Sequence, residues 1–177
     1  MEPPDSTATT TIRTERLVLR RARASDLQEI HAVLSDPTAM RYWSTPPHRT
    51  LSETEHWLTK MLACDGDDFV VTFEGRVLGK AGLFRDPEVG FILHSSFTRR
   101  GFGVEAVRAV VARAFDVRGL ALARADVDPR NTASLKLLAR VGFVEVGRKR
   151  GTWQVGDELC DSVYLELTPE HFRAAHG

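Results

Sequence analysis

The chain has 177 residues, a length that suits one domain at roughly 100–200 residues per domain. Lysine plus arginine number 24 and aspartate plus glutamate number 24, so the formal charge is zero. That argues against broad electrostatic binding of nucleic acid, and 42% apolar with 27% charged residues is a globular rather than a disordered balance. No apolar run approaches the roughly 18–20 residues of a membrane span. The polar start from Met1 to Thr11 lacks the layout of a signal peptide. Cys64 and Cys160 form no C-x-x-C pair, so neither a disulfide scaffold nor a metal site is expected. The expectation is a soluble cytoplasmic protein, a monomer or homodimer, with no membrane or nucleic-acid partner.

In chain order, residues 1–11 read as a disordered lead-in and 12–177 as a single domain. Ile12 to Arg20 reads as a strand, with Leu17 and Leu19 alternating with polar neighbours. Ser25-x-x-Gln28 has capping-box spacing, and Leu27, Ile30 and Leu34 follow at helical spacing until Asp36-Pro37. Ser52-x-x-Glu55 is a second box, leading into Leu58, Met61 and Leu62. Between these helices, residues 40–49 read as an ordered loop with an aromatic corner at Tyr42 and Trp43. Phe69–Phe73, Val77–Phe84 and Glu88–His94 form an antiparallel meander, its first turn being Glu74-Gly75. Gly101 opens a long helix whose stripe is Val104, Val107, Val111 and Phe115, and Gly119 ends it. Ala121–Val127 is a strand, Asn131–Arg140 a helix closed by Gly142, and Phe143–Gly147 and Leu159–Leu167 are strands linked through Gly151 and Gly156.

Two segments carry chemistry. Thr98-Arg99-Arg100-Gly101-Phe102-Gly103-Val104 places two glycines and two arginines at the start of a helix. Unpaired N–H groups and the positive dipole end attract phosphate there, and glycine lets the backbone approach it. Gly101-x-Gly103-x-x-Ala106 also fits a dinucleotide fingerprint, with Asp126 and Asp128 downstream. That reading fails because Ser95 to Arg100 separates the glycines from the preceding strand, and the meander before it is antiparallel. In the second segment Asn131 suits an N-cap and Ser134 falls in the first turn beside it. On spacing alone both residues are ordinary helix-start residues.

In combination, Arg99 to Phe143 resembles the GNAT superfamily of acetyl-CoA-dependent N-acetyltransferases: phosphate loop, helix, strand, N-x-x-S and a closing Gly142-Phe143. Thr14-Glu15-Arg16-Leu17-Val18-Leu19-Arg20, Glu105-Ala106 and Asp161-x-x-Tyr164 look like the RimJ/RimL-like branch. The resemblance implies an α/β (α+β) GNAT fold: a mixed, mostly antiparallel sheet of about seven strands flanked by helices. Its central strands splay to receive acetyl-CoA as cosubstrate. It implies that the backbone N–H groups of Arg99, Arg100, Gly101, Phe102, Gly103 and Val104 hold the pyrophosphate. Exposed backbone of Ile92, Leu93 and His94 would pair with pantetheine, Asn131 would bond the pantetheine arm, and Ser134 would lie near the sulfur. This chain departs from the family with Thr98 where Gln or Arg is usual, and from the branch with Arg99 where Gly is common.

Acetyl transfer to an amine requires a neutral amine, donors for the oxyanion and a donor for the leaving thiolate. The family acts by direct attack in a ternary complex, so the cysteines are bystanders. Glu88, opening the strand along acetyl-CoA, is the expected base, with His94 its rival. Ser134 is the favoured acid and Tyr164 the competitor. Tyr42, Trp43 and His48, with Trp153 opposite, are expected to wall the acceptor. An α-amine, with a pKa of about 7.7–8.0 against about 10.4 for lysine, needs less help to be neutral, which favours a peptide or protein N-terminus. The alternatives are a small amine (antibiotic, polyamine or amino acid) and a non-catalytic acyl-CoA-binding sensor.

Overall fold

The computed structural model describes residues 10–64 and 66–176. Most of the expected lead-in, residues 1–9, lies outside the described residues; Thr11, its last residue, already belongs to a strand. Eight strands form one mixed sheet: β1 (Thr11–Arg13), β2 (Leu17–Arg20), β3 (Asp68–Phe73), β4 (Arg76–Arg85), β5 (Glu88–Leu93), β6 (Ala123–Val127), β7 (Val144–Val155) and β8 (Glu158–Leu167). Their spatial order is β1-β2-β3-β4-β5-β6-β8-β7. All neighbouring pairs are antiparallel except β5 and β6. Five α-helices flank the sheet: α1 (Leu27–Leu34), α2 (Leu51–Leu62), α3 (Phe102–Asp116), α4 (Thr132–Val141) and α5 (Pro169–His176). This is the expected fold class with one strand more than foreseen, because Thr14–Arg16 breaks the first strand into a hairpin. The turn closes through the Thr14 N–H, which donates to Leu17 O at 3.0 Å.

Both faces of the central strands are covered, so β3 and most of β4 are buried residue by residue and read as continuous apolar runs. On one face, α3 buries Phe102, Ala106, Val107, Val110, Val111, Ala114 and Phe115 against Leu78, Ala81, Leu83 and Val89. On the other, α1 and α2 bury Ile30, Val33, Leu34 and Met61 with Val70, Val77 and Ile92. The β6–β8 half behaves differently: Ala123, Ala125 and Val127 are buried while Arg124 and Asp126 are exposed. This alternation marks one packed face and one open face, and it puts Asp126 on the open one.

The helix starts correct the sequence reading. Neither Ser25 nor Ser52 is an N-cap. In the first case the Asp26 carboxylate accepts the Arg23 N–H at 2.8 Å. In the second, Thr50 and Glu53 form the box, the Thr50 hydroxyl accepting from the Glu53 N–H and Glu53 from the Thr50 N–H. T-x-x-E and S-x-x-E overlap there, and the earlier one wins. Asn131 and Gly142 cap α4 as expected, the glycine at φ 111°. The last hairpin is longer than expected. β7 runs on to Val155, Gly156-Asp157 makes the turn, and Gly151 (φ 60°) lies within β7 where the register shifts between Lys149 and Trp153. Among the described residues, no helix is long and apolar enough to cross a membrane.

Candidate active site

The parallel strands β5 and β6 share one paired position, Glu88 with Arg124, where the Arg124 N–H donates to Pro87 O at 2.9 Å. Beyond it the strands diverge, leaving a V that opens toward Leu93 and Val127. Backbone bonds alternate sides along a strand. The His94 N–H is taken by Leu78 O of β4 at 2.8 Å, so the alternation leaves the polar groups of Phe91 and Leu93 facing the gap. Of the expected run Ile92 to His94, Leu93 therefore offers free backbone. His94 does not offer its N–H, and its ring is occupied locally, accepting the Ser96 N–H at 3.1 Å and lying 3.7 Å from Asp36.

The two arms of the V end at helix starts. Past β5, the loop 98–101 turns into α3 with Arg99 at φ 61° and Gly101 at φ 81°. The first intrahelical bond runs from the Glu105 N–H to Gly101 O at 3.1 Å, so the N–H groups of Phe102, Gly103 and Val104 precede it. Glycine is required at 101 by its left-handed backbone, whereas a Cβ on Gly103 would meet Leu137 Cδ1 of α4 at 2.6 Å. Close packing of α3 on α4 is thus a second reason for that glycine. The Phe102 ring is buried and is core. Arg100 lies over the Phe73 and Phe102 rings at 5.7 and 4.9 Å. Past β6, Asn131 Oδ1 accepts the Ser134 N–H at 3.2 Å, and Ser134 is half-buried in the first turn of α4. An open strand edge, a run of unpaired helix-start N–H groups and adjacent arginines fit a long thiol ester carrying a pyrophosphate.

On the face bearing α1 and α2, lined in part by Trp57, Lys60 and Met61 of α2, lies a cavity of about 740 Å³. It collects Tyr42, Trp43, Glu88, Trp153 and Tyr164, which the sequence could only name separately. His48 and Ser134 do not line it. The His48 Nδ1 lies 2.9 Å from the Thr54 hydroxyl, which also contacts His31 Nδ1 at 2.7 Å, and Thr54 is fully buried. Burial pushes the His48 pKa down, with the nearby Glu53 opposing and His31 reinforcing the shift. His48 thus belongs to the α1–α2 junction.

The sequence reading missed most of the cavity's charges. Asp68 and Lys80 form a buried pair at 2.8 Å. Arg130 pairs with Asp128 at 2.6 Å and also with Glu158; its hydrogen bond, outweighing burial, holds the Asp128 carboxyl below the usual range. Glu88 meets Arg85 at 2.8 Å. Asp126 and Asp161 differ: Asp126 accepts the Trp153 indole N–H and Asp161 the Gly151 N–H, each at 2.9 Å. Among the described residues, no cation pairs with either. Asp126 and Tyr164 face each other in the β6–β8 register. Two signals were available: Asp126 sits in a strict exposed–buried alternation, and Asp161-x-x-Tyr164 was visible as a motif. What they converge on was not. Arg130 Nη2 lies 3.5 Å from Cys160 Sγ, but burial outweighs it and raises the Cys160 thiol pKa. No cluster able to hold a metal occurs among the described residues.

A thioester cleft between splayed strands, with an aromatic chamber of mixed charge at its apex, is the arrangement of an acyl-CoA-dependent transferase. The acetyltransferase (GNAT) domain matches residues 16–144, and the chain belongs to this family of acetyl-CoA-using enzymes. Over 174 residues it is 28% identical to the uncharacterized N-acetyltransferase p20 of Bacillus licheniformis, covering 92% of this chain and 98% of that one. Spermidine N-acetyltransferase from Vibrio cholerae, solved in complex with CoA and spermine, superposes with a TM-score of 0.76 at 19% identity, covering 90% of this chain and 99% of that one. RimL, a ribosomal L7/L12 alpha-N-protein acetyltransferase, superposes with a TM-score of 0.80 at 16% identity, covering 95% and 99%. These likenesses are to the fold; they point to different acceptors.

Proposed function

We propose that the protein transfers the acetyl group of acetyl-CoA to a primary amine of a small polycationic acceptor of the polyamine type. The observation that carries this is the pair Asp126 and Asp161, two carboxylates in the cavity whose partners among the described residues are neutral donors. An ammonium group supplies the missing positive charge, and the Trp153 ring provides an aromatic face for it; Tyr42 and Trp43, which already have Arg41, Arg130 and Lys80 beside them, flank the methylene chain. The pyrophosphate rests on the N–H groups of residues 101–104 with Arg99 beside them. The pantetheine lies against Leu93, and Asn131 meets its arm.

The amine nitrogen attacks the thioester carbonyl carbon, forming N–C as C–S breaks. The nitrogen loses a proton and the departing sulfur gains one. Glu88, at the apex of the V, takes the proton. Its carboxylate lies 2.8 Å from the Arg85 guanidinium. Tyr164 lines the cavity and donates toward sulfur; Ser134, at the mouth of the other arm, is the second candidate donor. A second acceptor, the α-amine of a peptide N-terminus as in the RimJ/RimL-like branch, is favoured by one feature. Glu88 is already paired with Arg85, and an α-ammonium of pKa about 7.7–8.0 needs less help to become neutral.

Thiol release from acetyl-CoA, measured with spermidine, spermine, single amino acids and short peptides, tests both readings. The expected order places the polyamines first in kcat/KM. Preference for peptides would transfer the assignment to the α-amine reading. CoA binding without thiol release from any amine would identify an acyl-CoA sensor instead.

A further inference from the structure

Two pieces of sequence 89 residues apart, Arg16 in the β1–β2 turn and Glu105 in the first turn of α3, meet beside the pyrophosphate loop. Glu105 Oε1 accepts the Thr14 hydroxyl at 2.5 Å and the Arg16 N–H at 2.8 Å. Its Oε2 accepts Arg16 Nε at 2.8 Å, with Nη2 at 2.7 Å. Burial opposes ionisation of Glu105, and the bonds from Thr14 and Arg16 more than reverse it, so its pKa lies below the usual range. One guanidinium nitrogen then remains, and Arg16 Nη1 donates to the carbonyl oxygen of Arg100 at 2.9 Å. The same guanidinium lies 4.6 Å from the centre of the Phe102 ring. All three nitrogens of Arg16 are thus committed, two to Glu105 and one to the loop.

The Arg100 carbonyl matters because of the peptide that contains it. In a planar trans peptide, C=O and the following N–H point in opposite directions. Pulling the Arg100 oxygen toward Arg16 therefore turns the Gly101 N–H away from Arg16. That N–H joins the unpaired groups of Phe102, Gly103 and Val104. Left free, the carbonyl could swing round and present oxygen to the phosphate instead. The left-handed backbone at Arg99 and Gly101 makes this peptide a place where such a flip needs holding. Arg16 also neutralises Glu105, a carboxylate one turn into a helix whose start is to receive an anion.

We propose that Arg16, locked by Glu105 and Thr14, is a positioning residue for acetyl-CoA. It fixes the Arg100–Gly101 peptide so that the Gly101 N–H faces the pyrophosphate, and it screens the Glu105 charge. This rests on assigning the 98–104 loop to the pyrophosphate.

Arg16→Ala and Arg16→Lys test it, with acetyl-CoA and with acetyl-pantetheine, a donor that lacks the pyrophosphate. Lysine keeps the charge but cannot hold Glu105 and the Arg100 carbonyl together. Both variants should raise KM for acetyl-CoA by about 10- to 100-fold, the scale of a lost hydrogen bond to a charged group. The kcat at saturation, KM for the amine and kcat/KM with acetyl-pantetheine should stay at wild-type values. Equal losses with both donors would make Arg16 merely structural and overturn the proposal, as would an unchanged KM for acetyl-CoA. A variant that fails to fold would likewise count as a structural role. Arg99→Ala separates the two assignments. If it weakens CoA binding while Arg16→Ala and Arg16→Lys do not, the positioning role falls and the loop assignment stands. If none of the three affects CoA binding, the loop assignment itself falls.

Discussion

The indole N–H of Trp153 donates to Asp126 Oδ2 at 2.9 Å. This bond joins the last hairpin to the strand that forms one wall of the cleft. It also fixes a carboxylate that has no cation of its own among the described residues. A long exposed hairpin is given a defined position over the cavity, and a half-exposed tryptophan becomes part of its wall. The relationship links packing to recognition, because the group that orients Asp126 also supplies the aromatic face beside it.

Asp126→Asn keeps the shape and removes the charge. For a polycationic acceptor KM should rise about tenfold, the scale of a lost charge-assisted contact. The KM for acetyl-CoA should not move. The loss should shrink as salt screens the wild-type attraction. Steady-state kinetics at low and high ionic strength check this, and an unchanged amine KM would remove Asp126 from recognition. Trp153→Phe should produce a smaller rise of the same kind, because the ring persists while the indole donor is lost.

Arg99 is an arginine at φ 61°, a backbone region that glycine occupies without a Cβ penalty. Arg99→Gly should therefore stabilise the fold by about 1 kcal/mol, the left-handed cost of an L-residue, less glycine's extra entropy in the unfolded chain. The same change removes a positive charge from the loop, so CoA affinity should fall, and fall less at high salt. A melting curve and CoA titration on one variant read both effects. Loss of both stability and affinity would mean that the side chain itself holds the loop together.

Local signals were legible wherever a single residue enforces a backbone state. Gly101 and Gly142 take left-handed angles, Asn131 caps its helix, and Glu74-Gly75 makes a two-residue turn. The superfamily followed from the order of these signals. Helix α5 was not read from the sequence, although Thr168, which accepts the His171 N–H at 3.3 Å, and Pro169 at the first helical position are local signals for it. The first strand's break was not read: the Thr14 hydroxyl accepts the Leu17 N–H at 2.9 Å, a weak local turn signal inside an apolar alternation, and the turn reaches Glu105 far along the chain. The cavity was beyond sequence reasoning. Asp126, Asp161 and Tyr164 are neighbours through strand register and a bulge at Gly151, and neither quantity is local.

Asp26 gives a pH prediction with a definite sign. It is buried, accepts the Arg23 N–H at 2.8 Å, and takes both Arg20 Nη groups at 2.7 and 2.8 Å. Burial favours the neutral acid, but the bonds from Arg20 and the Arg23 amide outweigh it and lower the pKa. The ionised form is therefore favoured by folding. Its stabilisation is fully present above the unfolded-state value of about 3.9 and is lost as pH falls through the lower folded value. Asp26→Asn should cost about 2–4 kcal/mol at pH 7 because it breaks a buried pair. The gap from wild type should close in denaturant titrations below about pH 4. A gap independent of pH would mean that the cap, not the charge, carries the stability.

Tyr164 and Ser134 make opposite predictions for the leaving sulfur. Tyr164 lines the cavity, paired with Asp126 in the strand register, and its phenol O–H can donate to a thiolate. Ser134 sits in the first turn of α4 with its N–H held by Asn131, outside the cavity, and its hydroxyl can only donate a hydrogen bond. An interaction that strengthens as charge develops lowers the barrier more than it tightens ground-state binding. If Tyr164 is the donor, Tyr164→Phe should reduce kcat by about 100- to 1000-fold, the scale of a lost transition-state donor, with CoA affinity unchanged. Ser134→Ala should then leave kcat within a few-fold and raise the melting temperature slightly, since alanine is the better helix former. The reverse pattern, a large kcat loss in Ser134→Ala and near-normal turnover in Tyr164→Phe, would transfer the donor role to the serine. Single-turnover measurement of thiol release with both variants decides between them, because it isolates the step in which the sulfur takes up its proton.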